Sequence, residues 1–410
     1  MSSSPSSWPV MPVNPPVHCL ENGLSGVMKF FANSHINRIY VHSGLQSFAF
    51  NGGAVFSYVY LLKAGIATPI VFLIIASVIL LRLVFRQALL PIVQRFGLRN
   101  GLIFGTLIDA SSFLLLGHVN GPGLWLYAYM ALSSLGTAFY WTCYHAAVTR
   151  LGDAEHRGAQ VSAREAIFAL TGVVGPLFGG FMLTVFGPVY AFAATTVIYG
   201  MAALPLFAVP PMAIEPQARL SRQARNFAAG LTFSDGLVAA AVNFGWRIVL
   251  FQTLGESFNN YGGALAIAGL VGAVMGLIGG RLIDVGHHKR SVQIGLGLMA
   301  LTVLAEATGF ATPWMAVAAN MLGAVAGPIY MSSIMPPLYG VGQNSACAFR
   351  FNVAAENGFD CGAGFGALIA AVLVWLGAGY FWLIMIGLVG CLGVHLMLRN
   401  KDKHGVPVVA

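Results

Sequence analysis

Hydrophobic residues run along this chain in long unbroken stretches, with polar residues gathered at the breaks. Twelve such stretches stand out, at 42–64, 67–90, 101–118, 123–147, 161–186, 188–208, 228–253, 261–283, 291–310, 313–337, 347–375 and 378–398. Each is close to the about 20 apolar residues that a helix needs to cross a bilayer. Runs of that length predict helices, because membrane strands read as alternating segments about ten residues long. Turn-forming groups punctuate them: Asn100-Gly101, Asn120-Gly121-Pro122, Gly187-Pro188, Pro210-Pro211 and Gly377-Ala378-Gly379. Residues 1–17 are rich in Ser and Pro and lack the basic-then-apolar order of a secretory signal, so they read as a disordered tail. Residues 24–40 are mixed and predict a short interfacial helix leading into the first span.

Composition agrees with the pattern. Hydrophobic residues make up 57% of the 410 and charged residues 8%, with a mean hydropathy of +0.77. A soluble domain carries about 25% charged residues, so neither a water-soluble enzyme nor a disordered chain fits. The expected partner is the lipid bilayer. The net charge of +8 changes the picture only through its placement. With the N-terminus inside, the inner segments hold Lys29, Arg38, Arg95, Arg99, Arg150, Arg157, Arg219, Arg222, Arg225, Lys289, Arg290, Arg399, Lys401 and Lys403, and the outer loops hold Lys63 alone. That asymmetry predicts twelve spans with both ends cytoplasmic. It also explains the charge without nucleic acid. Cys19, Cys143, Cys347, Cys361 and Cys391 show no metal or redox spacing, and no Asn-x-Ser/Thr sequon occurs, which fits a bacterial inner membrane.

The inner loop 209–227 divides the chain into 41–208 and 228–398, flanked by tails 1–40 and 399–410. The two halves echo each other. Ser43-Gly44-Leu45 with Asn51 and Gly53 matches Asp235-Gly236-Leu237 with Asn243 and Gly245, an offset of 192; Tyr140 matches Tyr330, and Arg164 matches Arg350. Parallel repeats of six helices around a central site are a recurring transporter design.

Two local motifs sharpen this. After the second span of the second half comes Gly280-Arg281-Leu282-Ile283-Asp284-Val285-Gly286-His287-His288-Lys289-Arg290. The first half has a degraded copy, with Leu90 for the Gly and Gln94 for the Asp but Arg95, Gly97 and Arg99 kept. The fifth stretch carries Gly175-Pro176-Leu177-Phe178-Gly179-Gly180. Across residues 40–400 this arrangement resembles the major facilitator superfamily. The resemblance implies an all-α polytopic fold of two pseudo-symmetric six-helix bundles. The loop motif looks like the family's gating loop, and Gly-Pro-x-x-Gly-Gly looks like the core of its antiporter motif. Thr171 and Ser162 replace the upstream glycines of that motif, and close packing with a helix bend is the competing reading. Gating is thus implied for Arg95, Gly97, Arg99, Arg164, Asp284, Arg350, Gly175, Pro176, Gly179 and Gly180.

Ionisable residues inside spans are costly and need a reason. Asn352, Glu356 and Asp360 share one helix face at i, i+4 and i+8. Two acids together in a low dielectric repel, so one is expected to keep its proton unless a cation lies between them. Glu356 and Asp360, with Glu165 next in order, are therefore candidates for proton coupling. The competing reading pairs them with Arg95, Arg99 or Arg350 as an inner latch. Arg164 is expected to reach Asp284. Arg82 and Arg86, also i, i+4, are expected to snorkel to the headgroups, with anion attraction as the other possibility. Asp109 and Glu306 are expected to be satisfied structurally.

The resemblance also implies that the first, fourth, seventh and tenth spans line a central cavity. Their polar and aromatic positions are Asn51, Tyr58, Tyr140, Trp141, Tyr144, His145, Asn243, Trp246, Arg247, Asn320 and Tyr330, with core packing as the alternative. Arg247 has Val55 at its first-half counterpart, which makes it a single candidate anion point. No GxxxxGK[ST] loop, HExxH or metal cluster is present, so neither an ATP-driven pump acting alone nor an enzyme is expected. The expected function is secondary transport of a small organic solute by a monomer. An ion gradient, with proton-coupled export foremost, would drive it without a cofactor. Proton-driven uptake of a small solute, anionic or not, and a membrane assembly role on the same fold are the alternatives.

Overall fold

The computed structural model describes the backbone of residues 34–151, 157–212, 214, 219–283 and 288–399, with side chains for 37–147, 167–212, 214, 219–275 and 292–399. Residues 1–33, which hold the expected disordered tail 1–17 and the beginning of the expected interfacial helix 24–40, lie outside the described residues, as do the residues after 399 and Asp284. All regular structure among the described residues is helical. In chain order the first half contains α1 (Ser34–Gly52), α2 (Ser57–Lys63), α3 (Thr68–Leu116), α4 (Leu124–Leu151), α5 (Arg157–Val185) and α6 (Pro188–Ala202). The second contains α7 (Arg222–Ala239), α8 (Trp246–Thr253), α9 (Phe258–Ile283), α10 (His288–Gly309), α11 (Pro313–Gln343), α12 (Ala348–Trp375) and α13 (Tyr380–Arg399). Local chemistry sets several starts. Ser221 and Thr312 cap α7 and α11 by accepting from the backbone N–H of Ala224 and Met315, and proline opens α6 and α11.

The apolar pattern located the helices but not their breaks. A loop is expected between the second and third spans. Instead α3 runs through, and the chain turns on Gly97 alone, at φ 82° and ψ 162°. Only glycine takes that conformation without strain. Leu98 N–H donates to the Met212 carbonyl at 2.9 Å, tying the turn to the segment before α7. The first span is helical from Ser34, then breaks at Gly53 and passes through a 3₁₀ turn, Ala54–Phe56, into α2. Its repeat counterpart is interrupted at the matching place, by a π turn at Ala240–Gly245 between α7 and α8. Nine helices among the described residues are long and apolar enough to cross a membrane, with mean hydropathy from 1.2 to 2.5. α3 enters that number once, although Gly97 divides it.

Each half forms its own bundle: α1 packs on α5 and α6, α3 on α4 and α6, while α7 packs on α12 and α13, and α10 and α9 on α11. The halves meet chiefly through α5 against α9 and α3 against α12. Glycines set these seams. A methyl group on Gly175 would stand 2.7 Å from the Asn51 Cβ, and one on Gly179 would collide with the Gly52 carbonyl. On the other side of α5, a Cβ on Gly180 would come within 2.7 Å of the Phe258 carbonyl oxygen, and one on Gly262 would strike the Pro176 carbonyl. The Gly-Pro-x-x-Gly-Gly segment is therefore wedged between α1 and α9. Its repeat counterpart on α12 behaves alike: Gly358, Gly362 and Gly366 lie against α7, and a Cβ on Gly364 would meet Leu80 of α3 at 2.6 Å.

Candidate functional site

Four charged residues meet where α3 crosses α12. Arg82 and Arg86 share one face of α3, and Glu356 and Asp360 share one face of α12. Asp360 lies between the two guanidiniums: Arg82 Nη2 pairs with its Oδ1, and Arg86 Nη1 with its Oδ2 at 2.5 Å. Arg86 also donates to Asn357 Oδ1 at 3.0 Å and, from Nε, to Thr142 Oγ1 at 3.1 Å. Its Nη2 stands 3.5 Å from Glu356 Oε2. Glu356 then reaches His145 of α4, with Oε1 to Nε2 at 3.7 Å, and the other ring nitrogen of His145 lies 2.9 Å from the Tyr339 hydroxyl of α11. Asp360 is fully buried and Arg86 is 2% exposed. Charges at such depth persist only when paired and hydrogen-bonded.

This overturns one expectation. Arg82 and Arg86 do not snorkel toward the headgroups, because the carboxylates of α12 face them inside the protein. They, rather than Arg95, Arg99 or Arg350, are the partners of Glu356 and Asp360. Arg95 is exposed with its guanidinium over the Phe96 ring, and Arg99 donates to the Val209 carbonyl and to Asn100. Arg350 is half-buried at the start of α12. The side chains of Arg164 and Glu165 lie outside the described residues, as does Asp284, so the expected Arg164–Asp284 latch does too. Asn352 is buried and donates to the Ala348 carbonyl of its own helix.

The residues expected to line a cavity separate into two sets. Tyr140, Tyr144, Trp246 and Tyr330 are buried in packing. Tyr140 stacks on Tyr144 and lies beside His42, while Tyr330 donates to Asp235 at 3.0 Å within its own bundle. Trp246 Nε1 donates to Asn320 Oδ1, and Asn320 donates to the Ala264 carbonyl. The second set is more open. Asn243 is exposed in the π turn, and Arg247, Tyr58, Asn51, Trp141 and His145 are half-buried. The rings of Tyr58 and Phe244 touch edge to face across the two halves at 6.0 Å. Asn51 donates to the Ser47 carbonyl, one turn back on α1.

A second cross-half clasp lies at the end of the molecule that carries residues 63–68. Tyr380 donates to Gln252 Oε1 at 2.6 Å, and Gln252 donates to Thr68 Oγ1 at 3.2 Å. Phe56 packs edge to face on Tyr261, and Lys63 faces Glu256 at 4.0 Å on the surface. Arg82 is 14 residues along α3 from Thr68, about 21 Å at the helical rise, so the two clasps sit at different depths. Sequence reasoning missed Thr142, Tyr339, Asn357, Gln252, Thr68 and Tyr380. The one usable signal was the matched i, i+4 spacing of two bases on one helix and two acids on another.

Asp109 lies among the hydroxyls of Ser112, Ser133 and Tyr199, with Ser133 Oγ 3.5 Å from its Oδ1. Glu306, in contrast to its expected satisfaction, is 1% exposed with no hydrogen-bond partner for Oε2.

Comparison with known proteins places this arrangement. The family model for the Major Facilitator Superfamily matches residues 43–346. The structure is similar to that of the human organic anion transporter MFSD10 (TETRAN), with a TM-score of 0.63 and 14% identity over 89% of this chain and 99% of that one. It is similar to a D-xylose-proton symporter, with a TM-score of 0.64 and 15% identity over 92% and 98%. A mutant form of the peptide transporter POT gives 0.65 and 13% over 90% and 94%. No curated protein sequence matches the chain. The helical fold of two repeat-related halves and the family match over most of the length agree, and the chain belongs to the Major Facilitator Superfamily of membrane transporters.

Proposed function

We propose that the chain is a secondary active transporter that carries a small organic solute by alternating access, with proton-coupled export as its mode. Twelve spans divided at 209–227, both termini cytoplasmic, a monomer and a bacterial inner membrane complete the reading; the Lys and Arg asymmetry supports the orientation. The observation that carries it is the buried charge cluster joining the halves. A buried ion pair adds little net stability over a well-packed apolar contact. Placing four charges and a histidine on the seam between two bundles makes sense where that seam must open and close with a defined register. Glu356 and Asp360 then serve the gate, holding α3 and His145 of α4 to α12, and their pairing favours this over carrying the coupling proton themselves. Arg95, Gly97, Arg99 and Arg350 flank the same end. The glycine seams of α5 and α12 are the close-packed surfaces about which the bundles rock.

A second reading concerns the solute. Arg247 is half-buried beside the exposed Asn243, and Val55 in the first half leaves it without a basic counterpart. Arg82 and Arg86 are taken up by carboxylates, so Arg247 is the interior base left to favour an anionic solute, and MFSD10, whose fold is similar, is an organic anion transporter. The test for both is transport by purified protein in proteoliposomes under an imposed pH gradient, across a panel of organic anions, cations and neutral solutes. Gradient-dependent movement of at least one class is expected, with anions ahead. Rates equal to those of protein-free vesicles across the panel would refute the transporter reading.

A further inference from the structure

Of the carboxylates whose side chains are described, Glu356 and Asp360 meet arginines, Asp235 meets Tyr330, Asp109 meets Ser133, and the half-buried Glu256 faces Lys63. Glu306 stands apart. It is 1% exposed, and its Oε2 has no hydrogen-bond partner. Its Oε1 points at Gly323 of α11, where an added Cβ would stand 3.2 Å away, so the missing side chain at 323 leaves the carboxyl its room. The hydroxyl of Thr302, one turn back, is already spent on the Leu298 carbonyl.

The surrounding helices bring little charge. α11 contains no Asp, Glu, Lys, Arg or His from Pro313 to Gln343. α13 passes α10 with Gly387 against Val303, and its His395 and Arg399 are exposed and lie toward the far end. Arg247, at the start of α8, follows Trp246, whose Nε1 donates to Asn320 of α11, three residues before the Gly323 that Glu306 faces, so its guanidinium is the charge brought toward Glu306. A carboxylate anion left there without a donor is costly, so something must meet it during the working cycle. Glu306 also lies three residues before Gly309, the last residue of α10, about 4.5 Å along the axis. A small opening of this end would bring it to water.

We propose that Glu306 is a proton-binding site of the transport cycle, loaded and unloaded at the end of the molecule where α10 terminates, with Arg247 as the group that competes with the proton. When the proton leaves, the carboxylate and the guanidinium satisfy each other. When it binds, Arg247 is released toward the interior, where an anionic solute would meet it. This rests on the proposed transporter function, and it moves proton coupling from the paired acids of α12 to the unpaired acid of α10.

Two measurements on the full-length protein decide it. The first is labelling of the purified protein with dicyclohexylcarbodiimide, which attacks protonated carboxyls in apolar surroundings, followed by peptide mass spectrometry. Modification at Glu306 that falls as pH rises is expected, and an unmodified Glu306 at every pH overturns the proposal. It needs no variant and no known solute. The second compares Glu306→Gln and Glu306→Asp with wild type in proteoliposomes. Glu306→Gln should lose gradient-driven accumulation by at least tenfold while keeping solute exchange, and Glu306→Asp should keep accumulation with a shifted pH profile. Wild-type accumulation in Glu306→Gln refutes the site and leaves the transporter reading standing. Absence of transport in the wild type refutes that reading, and the labelling result still judges the site.

Discussion

Asp360 is the residue on which the seam between the halves depends. It has no exposure to water, and both of its oxygens are taken by guanidiniums. Removing one side of such a pair leaves the other buried and uncompensated, at a cost of about 3–5 kcal/mol. Asp360→Asn and Arg86→Gln should each lower the thermal unfolding temperature in detergent and abolish transport. The double variant should be less damaged than the two losses added together, by more than about 1 kcal/mol if the pair is coupled. Full additivity would show that the two side chains act independently. At this scale the sequence was half legible. The faces of Glu356 with Asp360 and of Arg82 with Arg86 follow from their spacing alone. Their partnership does not, because a single sequence carries no information on which helix faces which. Arginine near a helix end also snorkels as readily as it turns inward.

The helices themselves were legible because a bilayer leaves backbone groups no partner but their own chain. Long apolar runs therefore announce helices with little ambiguity. Their interruptions are less visible. Gly53 and the Ala240–Gly245 π turn lie inside apolar runs, and only the repeat marks them as equivalent, since Gly53 and Gly245 are matched positions. The glycine seams were visible as a motif, but its meaning needed the neighbours. A methyl group on Gly179 would run into the Gly52 carbonyl and the Phe56 ring, whereas one on Gly200 would meet nothing within 4 Å. Gly179→Ala should thus destabilise by about 1–3 kcal/mol, the usual range for overpacking, while Gly200→Ala should be neutral or slightly stabilising. Thermal unfolding of both variants in the same detergent checks the contrast. Equal stability would mean that α5 can move off α1 at no cost.

For the molecule as a whole, both cross-half clasps are closed in this conformation: Gln252 with Thr68 at one level, and Asp360, Glu356 and His145 with their partners at the other. Alternating access requires each to release in turn. Thr68→Cys with Gln252→Cys, joined by a short bifunctional thiol reagent in a background with Cys19 and Cys361 replaced by Ser, should stop net transport. Cleavage of a reducible linker should restore it. Undiminished transport by the joined protein would show that this end never opens. The geometry at the other level has a mechanical consequence. Two bases one turn apart face two acids one turn apart, so sliding α12 past α3 by one turn, about 5.4 Å, re-pairs one base and leaves the other, with one acid, buried and alone. Drawing the helices apart strands every charge at once. Tilting that parts one pair while the other still holds therefore costs less than pulling the helices straight apart, and the crossing of α3 and α12 is built to release its charges one pair at a time.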